Sequence, residues 1–299
     1  MSEARRCGTI ALVGAPNAGK STLLNLLVGS KLSIVTPKVQ TTRSRVLGIA
    51  LRGDAQLIFV DTPGIFAPKR RLDRAMVAAA WASAEDADIV VVLVDAARGF
   101  DDDTRAILER LKGTGRRLVL ALNKIDLVKR EVLLPLADAL GKACEAERIF
   151  MISSTAGDGT EDLADFLGAS APAGPWLFPE DQLTDLPQRL LAAEITREQV
   201  FLQLHQELPY ATTVETEAWE ERDDGSVKIS QTIHVQRDGQ KAIVLGKGGS
   251  QVKRIGATAR AELEKLFGRR VHLFLFVRVS ENWAEDRAHY AAIGLDFTE

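Results

Sequence analysis

The stretch GAPNAGKS, residues 14–21, constrains the fold of this chain more than any other feature. It follows the apolar run TIALV and precedes TLLNLLV, which has the apolar spacing of a helix. A GxxxxGKS pattern between a strand and a helix predicts a phosphate-binding loop, because glycines let backbone N–H groups surround phosphates and the helix N-terminus favours negative charge. A simple glycine turn is the alternative interpretation. The predicted phosphate-binding residues are Gly14, Ala15, Pro16, Asn17, Ala18, Gly19, Lys20 and Ser21.

Apolar runs of strand length alternate with helical patterns from Gly8 to about Gly168. This alternation predicts an α/β domain with a mainly parallel sheet and helices on both faces, which would bind ligands at the carboxyl ends of its strands. After a segment rich in Pro, Gly, Ala and Asp, the order helix, strand, strand, helix, glycine loop, helix, strand predicts a smaller α+β domain. The predicted divisions are a first domain at 1–170, a linker at 171–188, a second domain at 189–281 and a tail at 282–299.

Composition limits the classes of protein to which the chain can belong. With 46% hydrophobic and 26% charged residues, it predicts soluble globular domains rather than disorder. Its apolar runs are shorter than the ~20 residues that cross a membrane, and its N-terminus lacks an apolar signal region, so a cytoplasmic protein is expected. Cys7 and Cys144 lack metal-ligand spacing and are expected to be buried thiols. The net charge of −3 means that any nucleic-acid surface must be local.

The loop DTPG, residues 61–64, supplies a second part of the predicted phosphate site. Lys20 is expected to reach the β- and γ-phosphates of a nucleotide, and the Ser21 hydroxyl is expected to bind Mg²⁺. Asp61 follows the apolar run LIFV, so its carboxylate can hold the metal while the Gly64 amide lies near the γ-phosphate. In isolation DTPG would be only a turn. The predicted switch II residues are Asp61, Thr62, Pro63, Gly64 and Ile65.

The motif NKID, residues 123–126, follows the apolar run RLVLAL and predicts which base is bound. The carboxylate of Asp126 can accept hydrogen bonds from both N1 and the exocyclic amine of guanine, a donor pair that adenine lacks. This favours GTP over ATP and argues against an ATP-dependent RNA enzyme. Asn123 is expected to brace the pocket, and the stem of Lys124 is expected to lie across the ring. The SST motif, which alone would indicate only a turn, is placed to donate a backbone N–H to guanine from Ser153, Ser154 or Thr155.

In their order these motifs resemble those of the translation-factor-like GTPases. The stretch TPKVQTTRSRVLG, between the first two motifs, resembles switch I of the Era family of ribosome-assembly GTPases. The resemblance implies that QTTR closes over the nucleotide and that a threonine completes the Mg²⁺ shell. Thr42 is the expected ligand beside Ser21 and Asp61, and the sequence leaves Thr41 open as the alternative. The predicted switch I residues are Gln40, Thr41, Thr42 and Arg43.

Two residues of these motifs bear on the rate of hydrolysis. Ile65 stands where Ras-like enzymes have a glutamine that orients the attacking water, which predicts slow intrinsic hydrolysis. Asn17 resembles a P-loop asparagine that binds K⁺ near the β- and γ-phosphates in related GTPases. The resemblance therefore implies a K⁺ site at Asn17, with the ion supplying positive charge to the transition state.

A second glycine loop, GKGG at residues 246–249, lies between two predicted helices. That context fits the GxxG loop of a type II KH domain, which clamps about four nucleotides of single-stranded RNA. Between Gln240 and Ser280 there are nine Lys or Arg residues against two Glu, which favours a phosphate-binding face over an ordinary solvated helix surface. The predicted RNA-binding residues are Gly246, Lys247, Gly248, Gly249, Lys253 and Arg254. The predicted groove floor, part of which must be core, is Ile233, Val235, Ile243, Val244, Leu245 and Ile255.

The resemblance to the Era family extends over nearly the whole chain, including FPEDQLTD, GQKAIVLGKGG and VSENWAEDRAHYAAIGLDF. It implies binding of GTP or GDP with Mg²⁺, recognition of the 3′ end of 16S rRNA in the small (30S) ribosomal subunit, a monomeric state and peripheral membrane association. The predicted function is a GTP-hydrolysing switch whose GTP form binds RNA during small-subunit assembly and whose hydrolysis releases it. The alternative is an RNA-binding assembly scaffold whose nucleotide site is structural and hardly turns over.

Overall fold

The computed structural model describes residues 5–39, 41–281, 283–287, 290 and 294–297. The predicted switch I residue Gln40 and part of the predicted tail lie outside the described residues.

The chain divides into two compact units that are not simple halves of the sequence. The first unit contains the chain up to Ser33, the segment Thr42–Asp185 and the described residues 294–297. The second unit contains Ile34–Thr41 and Leu186–Tyr290. The eight residues Ile34–Thr41 therefore belong to the second unit, although their neighbours in sequence belong to the first.

The first unit is a six-stranded sheet among its described residues, with strand order β2-β3-β1-β4-β5-β6. All neighbouring strands are parallel except β2 and β3, which form an antiparallel pair. The strands are β1 (Arg6–Gly14), β2 (Val46–Arg52), β3 (Ala55–Asp61), β4 (Ile89–Asp95), β5 (Arg117–Asn123) and β6 (Arg148–Met151). The helices are α1 (Lys20–Val28), α2 (Arg71–Asp86), α3 (Asp102–Leu111), α4 (Arg130–Ala143) and α5 (Thr160–Ser170).

Helices cover both faces of this sheet, as the sequence predicts. Successive side chains of a strand point to opposite faces, so Ala11 and Val13 of β1 join one apolar cluster, whose helical residues come from α2, α3 and α4. Ile10 and Leu12 join the other cluster, whose helical residues come from α1 and α5. Because both faces are covered, the central strands are apolar throughout, and this arrangement confirms the predicted α/β fold. The loops that carry the predicted nucleotide motifs all follow the carboxyl ends of strands β1, β3, β5 and β6.

The segment predicted as a linker has almost no helix or strand and is bonded to the first unit. The carbonyl of Leu183 accepts a hydrogen bond from the N–H of Ile49 in the edge strand β2, at 2.8 Å. Gln56 of β3 bonds the backbone of Phe178 through both its amide nitrogen and its amide oxygen. Phe178 also packs against Leu47, Ile49 and Ile58. The Pro and Gly content of the predicted linker indicates that it lacks regular structure, but it gives no sign of these contacts with the first unit.

The second unit has a three-stranded sheet of order β7-β8-β9 among its described residues, with β7 antiparallel and β9 parallel to the central β8. Its elements are α6 (Gln188–Gln203), β7 (Thr213–Glu221), β8 (Val227–Val235), α7 (Asp238–Leu245), α8 (Ser250–Phe267) and β9 (Val271–Val279). Apolar residues of α6, α7 and α8 pack with those of the strands in one cluster. The order of elements confirms the predicted α+β domain.

Two sequence expectations about single residues and helices can be compared with the structure. Both cysteines are free thiols, but only Cys144 is buried, because Cys7 is half-buried at the start of β1. None of the helices that the structure describes is both long and apolar enough to span a membrane.

Candidate functional sites

The phosphate-binding loop joins β1 to α1 and requires glycine at its end. Gly19 has a φ of +99°, a left-handed value that other residues rarely adopt. A Cβ atom there would also lie 2.1 Å from Nδ2 of Asn123, which donates a hydrogen bond to the carbonyl of Ala18 at 2.8 Å. Asn17 is exposed in the same loop, also with a left-handed φ, of 63°. The loop that the sequence predicts is therefore held against the NKID motif by a short side chain that only glycine accommodates.

Lys20 is buried beneath the loop although it carries a charge. Its side chain is 6% exposed, and its ammonium group donates to the carbonyls of Gly14 and Ala15, at 3.1 Å each. Burial lowers the pKa of Lys20 to about 8, against an opposing effect of the Asp61 carboxylate. Removing a cation from water is costly unless it gains negative partners, so this site favours an anion at the loop.

Three oxygen atoms of the kind that Mg²⁺ binds converge near Lys20. The Ser21 hydroxyl donates to Oδ2 of Asp61 at 2.7 Å and lies 2.9 Å from Oγ1 of Thr42, which is 3.3 Å from the same Asp61 oxygen. Oδ1 of Asp61 is buried and has no hydrogen-bond partner among the described residues. Burial raises the pKa of Asp61, while Lys20 and the Ser21 hydroxyl lower it. An incompletely paired, buried carboxylate with two hydroxyls fits a hard divalent cation.

The structure separates the two threonines that the sequence leaves as alternatives. Oγ1 of Thr41 lies 2.8 Å from Oγ1 of Thr36 and donates to the carbonyl of Lys38 at 2.7 Å. Only the Thr42 hydroxyl lies with Ser21 and Asp61. The next residue, Arg43, is 5% exposed. Thr42 is therefore the threonine placed to bind the metal.

The DTPG loop packs against the phosphate-binding loop. The N–H of Ile65 donates to the carbonyl of Gly14 at 3.1 Å, and the Thr62 hydroxyl donates to the carbonyl of Leu12 at 2.8 Å. A Cβ atom on Gly64 would lie 2.8 Å from Cα of Pro16. The side chain of Ile65 is 7% exposed and belongs to the core of the first unit. Ile65 therefore supports the loop and cannot orient water.

Asn123 connects the predicted base pocket to the phosphate-binding loop. Besides its bond to Ala18, its Oδ1 accepts hydrogen bonds from the N–H and the hydroxyl of Ser154, both at 2.9 Å. Ser153 and Ser154 are buried, whereas Thr155 and Asp126 are exposed. The SST motif is thus more than a turn, because it is bonded to NKID.

Asp95 is a site residue that the sequence analysis misses. Lys124 has a left-handed φ of 65°, and its ammonium group lies 2.6 Å from Oδ2 of Asp95 at the end of β4. This bond holds the Lys124 stem in place. The sequence shows that the apolar run IVVVLV ends in an aspartate, Asp95. In the structure this run is β4, which pairs with the strand that leads to NKID.

The second glycine loop joins α7 to α8 and has the backbone of an exposed clamp. Gly246, Gly248 and Gly249 have φ values of 69°, 60° and 76°. A Cβ atom on Gly246 would lie 2.7 Å from Cβ of Gln251, whereas Gly248 faces open space. Lys247 and Gly248 are exposed, so a phosphate backbone can approach them.

The basic residues of this unit are not equally available to a ligand. Lys247, Lys253 and Arg254 are exposed on the loop and the first turns of α8. Arg269 pairs with Glu221, and Arg278 pairs with Glu217, both acidic residues of β7. The three basic residues on the glycine loop and the first turns of α8 are therefore open to RNA, whereas Arg269 and Arg278 already have acidic partners.

The residues of the predicted groove floor differ in how deeply they are buried. Ile243 is 59% exposed and Leu245 is half-buried, so both can contact a ligand. The other four residues are fully buried core and cannot form a groove surface: Ile233, Val235, Val244 and Ile255.

The fold and both sites define a class of protein, a P-loop GTPase domain followed by a KH domain. Residues 9–124 match the family described as "50S ribosome-binding GTPase", and residues 207–284 match the KH domain family. The chain is 58% identical to GTPase Era of Rhizobium meliloti (strain 1021) over 98% of its own length and 93% of that protein. GTPase Era of Mesorhizobium japonicum is also 58% identical, over 98% of this chain and 95% of that protein. The chain belongs to the Era family of GTPases.

Two solved structures resemble the whole chain, each with a TM-score of 0.92 and 39% sequence identity over 97% of this chain and 99% of the other. One is a variant of Aquifex aeolicus Era bound to GDP·AlF4⁻. The other is Era in complex with MgGDPNP and nucleotides 1506–1542 of 16S ribosomal RNA. These similarities confirm the predicted fold and the predicted GTPase activity with Mg²⁺ as cofactor.

Proposed function

We propose that this chain is a GTP-hydrolysing switch that binds the 3′ end of 16S rRNA through its KH domain and assists assembly of the small (30S) ribosomal subunit. The observation that carries the proposal is the presence of two sites on one chain, the phosphate-binding loop with its predicted metal ligands Ser21, Thr42 and Asp61, and the glycine loop at 246–249. A relative with 39% identity binds the corresponding pair of ligands, MgGDPNP and 16S rRNA. In the GTP form, switch I and the DTPG loop are ordered and RNA binds, and hydrolysis releases it.

Hydrolysis is an in-line attack of water on the γ-phosphoryl group, which a GTPase promotes by positioning and charge. Backbone N–H groups of the loop at 14–21, other than at Pro16, hold the phosphates, and Lys20 reaches the β- and γ-phosphates from beneath the loop. Ser21, Thr42 and Asp61 would hold Mg²⁺, which when bound neutralises the developing negative charge. The Gly64 amide donates to the γ-phosphate. Asn123 holds the base pocket against the loop, and Asp126 selects guanine.

Hydrolysis is expected to depend on K⁺, because Ile65 is buried and the first unit has no glutamine in its place. Exchanging K⁺ for Na⁺ at constant ionic strength should slow single-turnover GTP cleavage by about tenfold or more, since the transition state loses a fixed positive charge. An Asn17→Ala variant should be slow in both salts. Equal rates in the two salts for the unaltered chain would contradict the K⁺ site.

RNA binding is expected to fail when the second glycine loop becomes acidic. The double variant Lys247→Asp, Gly248→Asp should weaken binding of a single strand from the 16S rRNA 3′ end by about 10-fold to 100-fold, because phosphates would meet carboxylates. GTP affinity should not change. The measurement is an RNA titration at fixed salt, with GTP affinity determined on the same preparation.

The other end of α8 offers a matched control for this variant. Gly268 has a φ of 63° and faces open space, as Gly248 does, and Lys265 is exposed. Lys265→Asp, Gly268→Asp therefore makes the same change of charge and the same backbone substitution away from the loop, and RNA affinity should stay near that of the unaltered chain. Unchanged RNA affinity in the Lys247 and Gly248 variant would refute the assignment of this loop.

The burial of Ile65 favours a second candidate function, an assembly scaffold whose bound nucleotide hardly turns over. Phosphate release over many turnovers, with and without small ribosomal subunits, distinguishes the two. A switch should release phosphate repeatedly, whereas a scaffold should not. ATP should fail to displace GDP, because the amine of adenine cannot donate to Asp126 as guanine does.

Three further properties remain part of the proposal on the strength of the family resemblance. They are a cytoplasmic location, peripheral association with the cytoplasmic face of the membrane and a monomeric state.

A further inference from the structure

Helix α6 buries polar residues that an ordinary amphipathic helix would expose. Thr196, Arg197, Glu198 and Gln199 are consecutive, so they point to different sides of the helix, yet each is at most 8% exposed. A buried charged side chain destabilises a fold unless it is paired. The partners of Arg197 and Glu198 include the segment Ile34–Thr41, which belongs to the same unit.

Arg197 and Glu198 hold the two ends of that segment by its backbone. Oε1 of Glu198 accepts a hydrogen bond from the N–H of Val35 at 2.9 Å. Nη2 of Arg197, whose side chain is 1% exposed, donates to the carbonyl of Thr41. The guanidinium also pairs with Glu194, one turn earlier in α6. Because these contacts are made to main-chain atoms, they restrain the two ends of the segment independently of its side chains.

Lys38 holds the middle of the segment at the end of the helix. Its ammonium group donates to the carbonyls of Phe201 and Leu204, at the C-terminus of α6. The last carbonyls of a helix lack intrahelical partners, and the helix dipole favours a cation there. The bonds from Thr41 to Thr36 and to the Lys38 carbonyl close the segment on itself. Thr36, Lys38 and Thr41 are therefore bonded to one another, and α6 holds Lys38 and Thr41 in place.

Thr42, the next residue in the chain, reaches the predicted metal site. Its hydroxyl lies 2.9 Å from that of Ser21, and it follows directly the residue whose carbonyl Arg197 binds. GDP lacks the γ-phosphate, so a switch threonine contributes chiefly when Mg²⁺ and GTP are bound. Thr42 therefore lies with the metal-site residues and is joined by one peptide bond to Thr41, whose carbonyl Arg197 binds.

We propose that α6 positions switch I for GTP hydrolysis, with Arg197 and Lys38 as positioning residues that act through Thr42. The proposal deepens the proposed function and rests on it. It also assigns a use to two of the buried polar residues, Arg197 and Glu198, because a switch that must return to one position needs directional bonds, which apolar packing does not supply.

The same helix is bonded to the helix that follows the RNA loop. Gln203, the last residue of α6, accepts a hydrogen bond from Nε of Arg254 at 3.0 Å and donates to the hydroxyl of Thr258 at 2.7 Å. Lys38 binds the carbonyl of the adjoining residue, Leu204. A rearrangement of α8 on binding RNA would therefore act on the turn of α6 that Lys38 holds.

A double-mutant cycle on the full chain tests the proposal, with Lys38→Met, Thr42→Ala and both together. Methionine keeps the apolar stem of Lys38 and removes its charge. Lys38→Met should raise the Mg²⁺ concentration for half-maximal GTP hydrolysis by about tenfold and weaken binding of a non-hydrolysable GTP analogue by a similar factor, while GDP affinity stays within about twofold. In the Thr42→Ala background, Lys38→Met should have no further effect.

Arg197→Met should reproduce the result, and Arg189→Met is the matched control. Arg189 lies in the first turn of α6 and donates to the carbonyls of Thr216 and Glu217, so its loss should not alter the Mg²⁺ dependence. Independent effects of Lys38→Met and Thr42→Ala would overturn the proposal, as would equal losses of GDP and analogue affinity. An unaltered chain without Mg²⁺-dependent hydrolysis would instead contradict the proposed function.

Discussion

Replacing Lys20 with alanine is expected to lower the affinity for GTP by about 100-fold to 1000-fold, the effect of losing two charge-assisted hydrogen bonds to phosphate. Lys20 is buried, and its ammonium group is already aimed into the loop by the carbonyls of Gly14 and Ala15. Little solvent can replace it there, so the phosphates would lose the positive charge that Lys20 supplies. Equilibrium titration with fluorescent GTP and GDP analogues measures the loss.

Lys142→Ala provides the control for this variant. Lys142 is an exposed residue of α4 that pairs with Asp138 and belongs to none of the nucleotide motifs, so its replacement should leave GTP affinity unchanged. The thermal unfolding of both variants shows whether each remains folded. Affinity within about threefold of the unaltered chain in a folded Lys20→Ala variant would contradict the assignment of the first loop.

Replacing Asp126 with asparagine is expected to change the base that the protein selects. The carboxylate accepts from N1–H and the exocyclic amine of guanine, whereas an asparagine amide presents one acceptor and one donor. The donor would oppose the guanine amine but match the carbonyl that xanthine carries in its place. GTP affinity should fall by about 1000-fold or more, because a site built for hydrogen bonds strongly rejects a mismatched pattern.

Competition between GTP and xanthosine triphosphate measures this change of preference. In the Asp126→Asn variant the xanthine nucleotide should bind more tightly than GTP, the reverse of the order in the unaltered chain. Asp102→Asn, in the first turn of α3, makes the same chemical change away from the pocket and should keep the original order. A variant at Asp126 that still prefers GTP would show that another residue selects the base.

The sequence was sufficient to predict the nucleotide motifs because each is a local pattern with a local physical cause. GAPNAGKS needs only a strand before it and a helix after it, and both were evident from apolar spacing. For the same reason the apolar spacing predicts a helix over Ser250–Phe267 and a strand over VHLFLFVRV, and these are the bounds of α8 and β9. The loop before α8 is likewise evident from its three glycines, all of which have a positive φ in the structure.

Features that depend on contacts between distant residues could not be predicted in this way. Thr41 and Thr42 are neighbours with the same side chain, and they differ only in their contacts. The Thr41 hydroxyl bonds Thr36, whereas the Thr42 hydroxyl bonds Ser21. Asp95 ends β4 and Lys124 follows β5, and nothing in the sequence shows that these two side chains pair. Similarly, the six predicted groove-floor residues are all apolar, and three-dimensional burial alone separates Ile243 from the buried core residues among them.

The assignment of Ile34–Thr41 to the second unit shows the same limit most clearly. In the sequence the segment lies between two motifs of the nucleotide site, which predicts that it belongs to the first domain. Its partners Arg197 and Glu198 lie more than 150 positions later, in a helix whose apolar spacing gives no sign that its polar residues are buried. Backbone hydrogen bonds to a distant helix leave no pattern in the segment itself.

The central claim is that the nucleotide site controls the RNA site, and one titration tests it most directly. RNA affinity of the full chain is measured with a single strand from the 16S rRNA 3′ end, at fixed salt, in the GTP-analogue form and in the GDP form. A switch requires different affinities, because a ligand that binds both states equally shifts nothing. Tighter binding in the GTP-analogue form is the predicted result, and equal affinity in the two forms would contradict the claim.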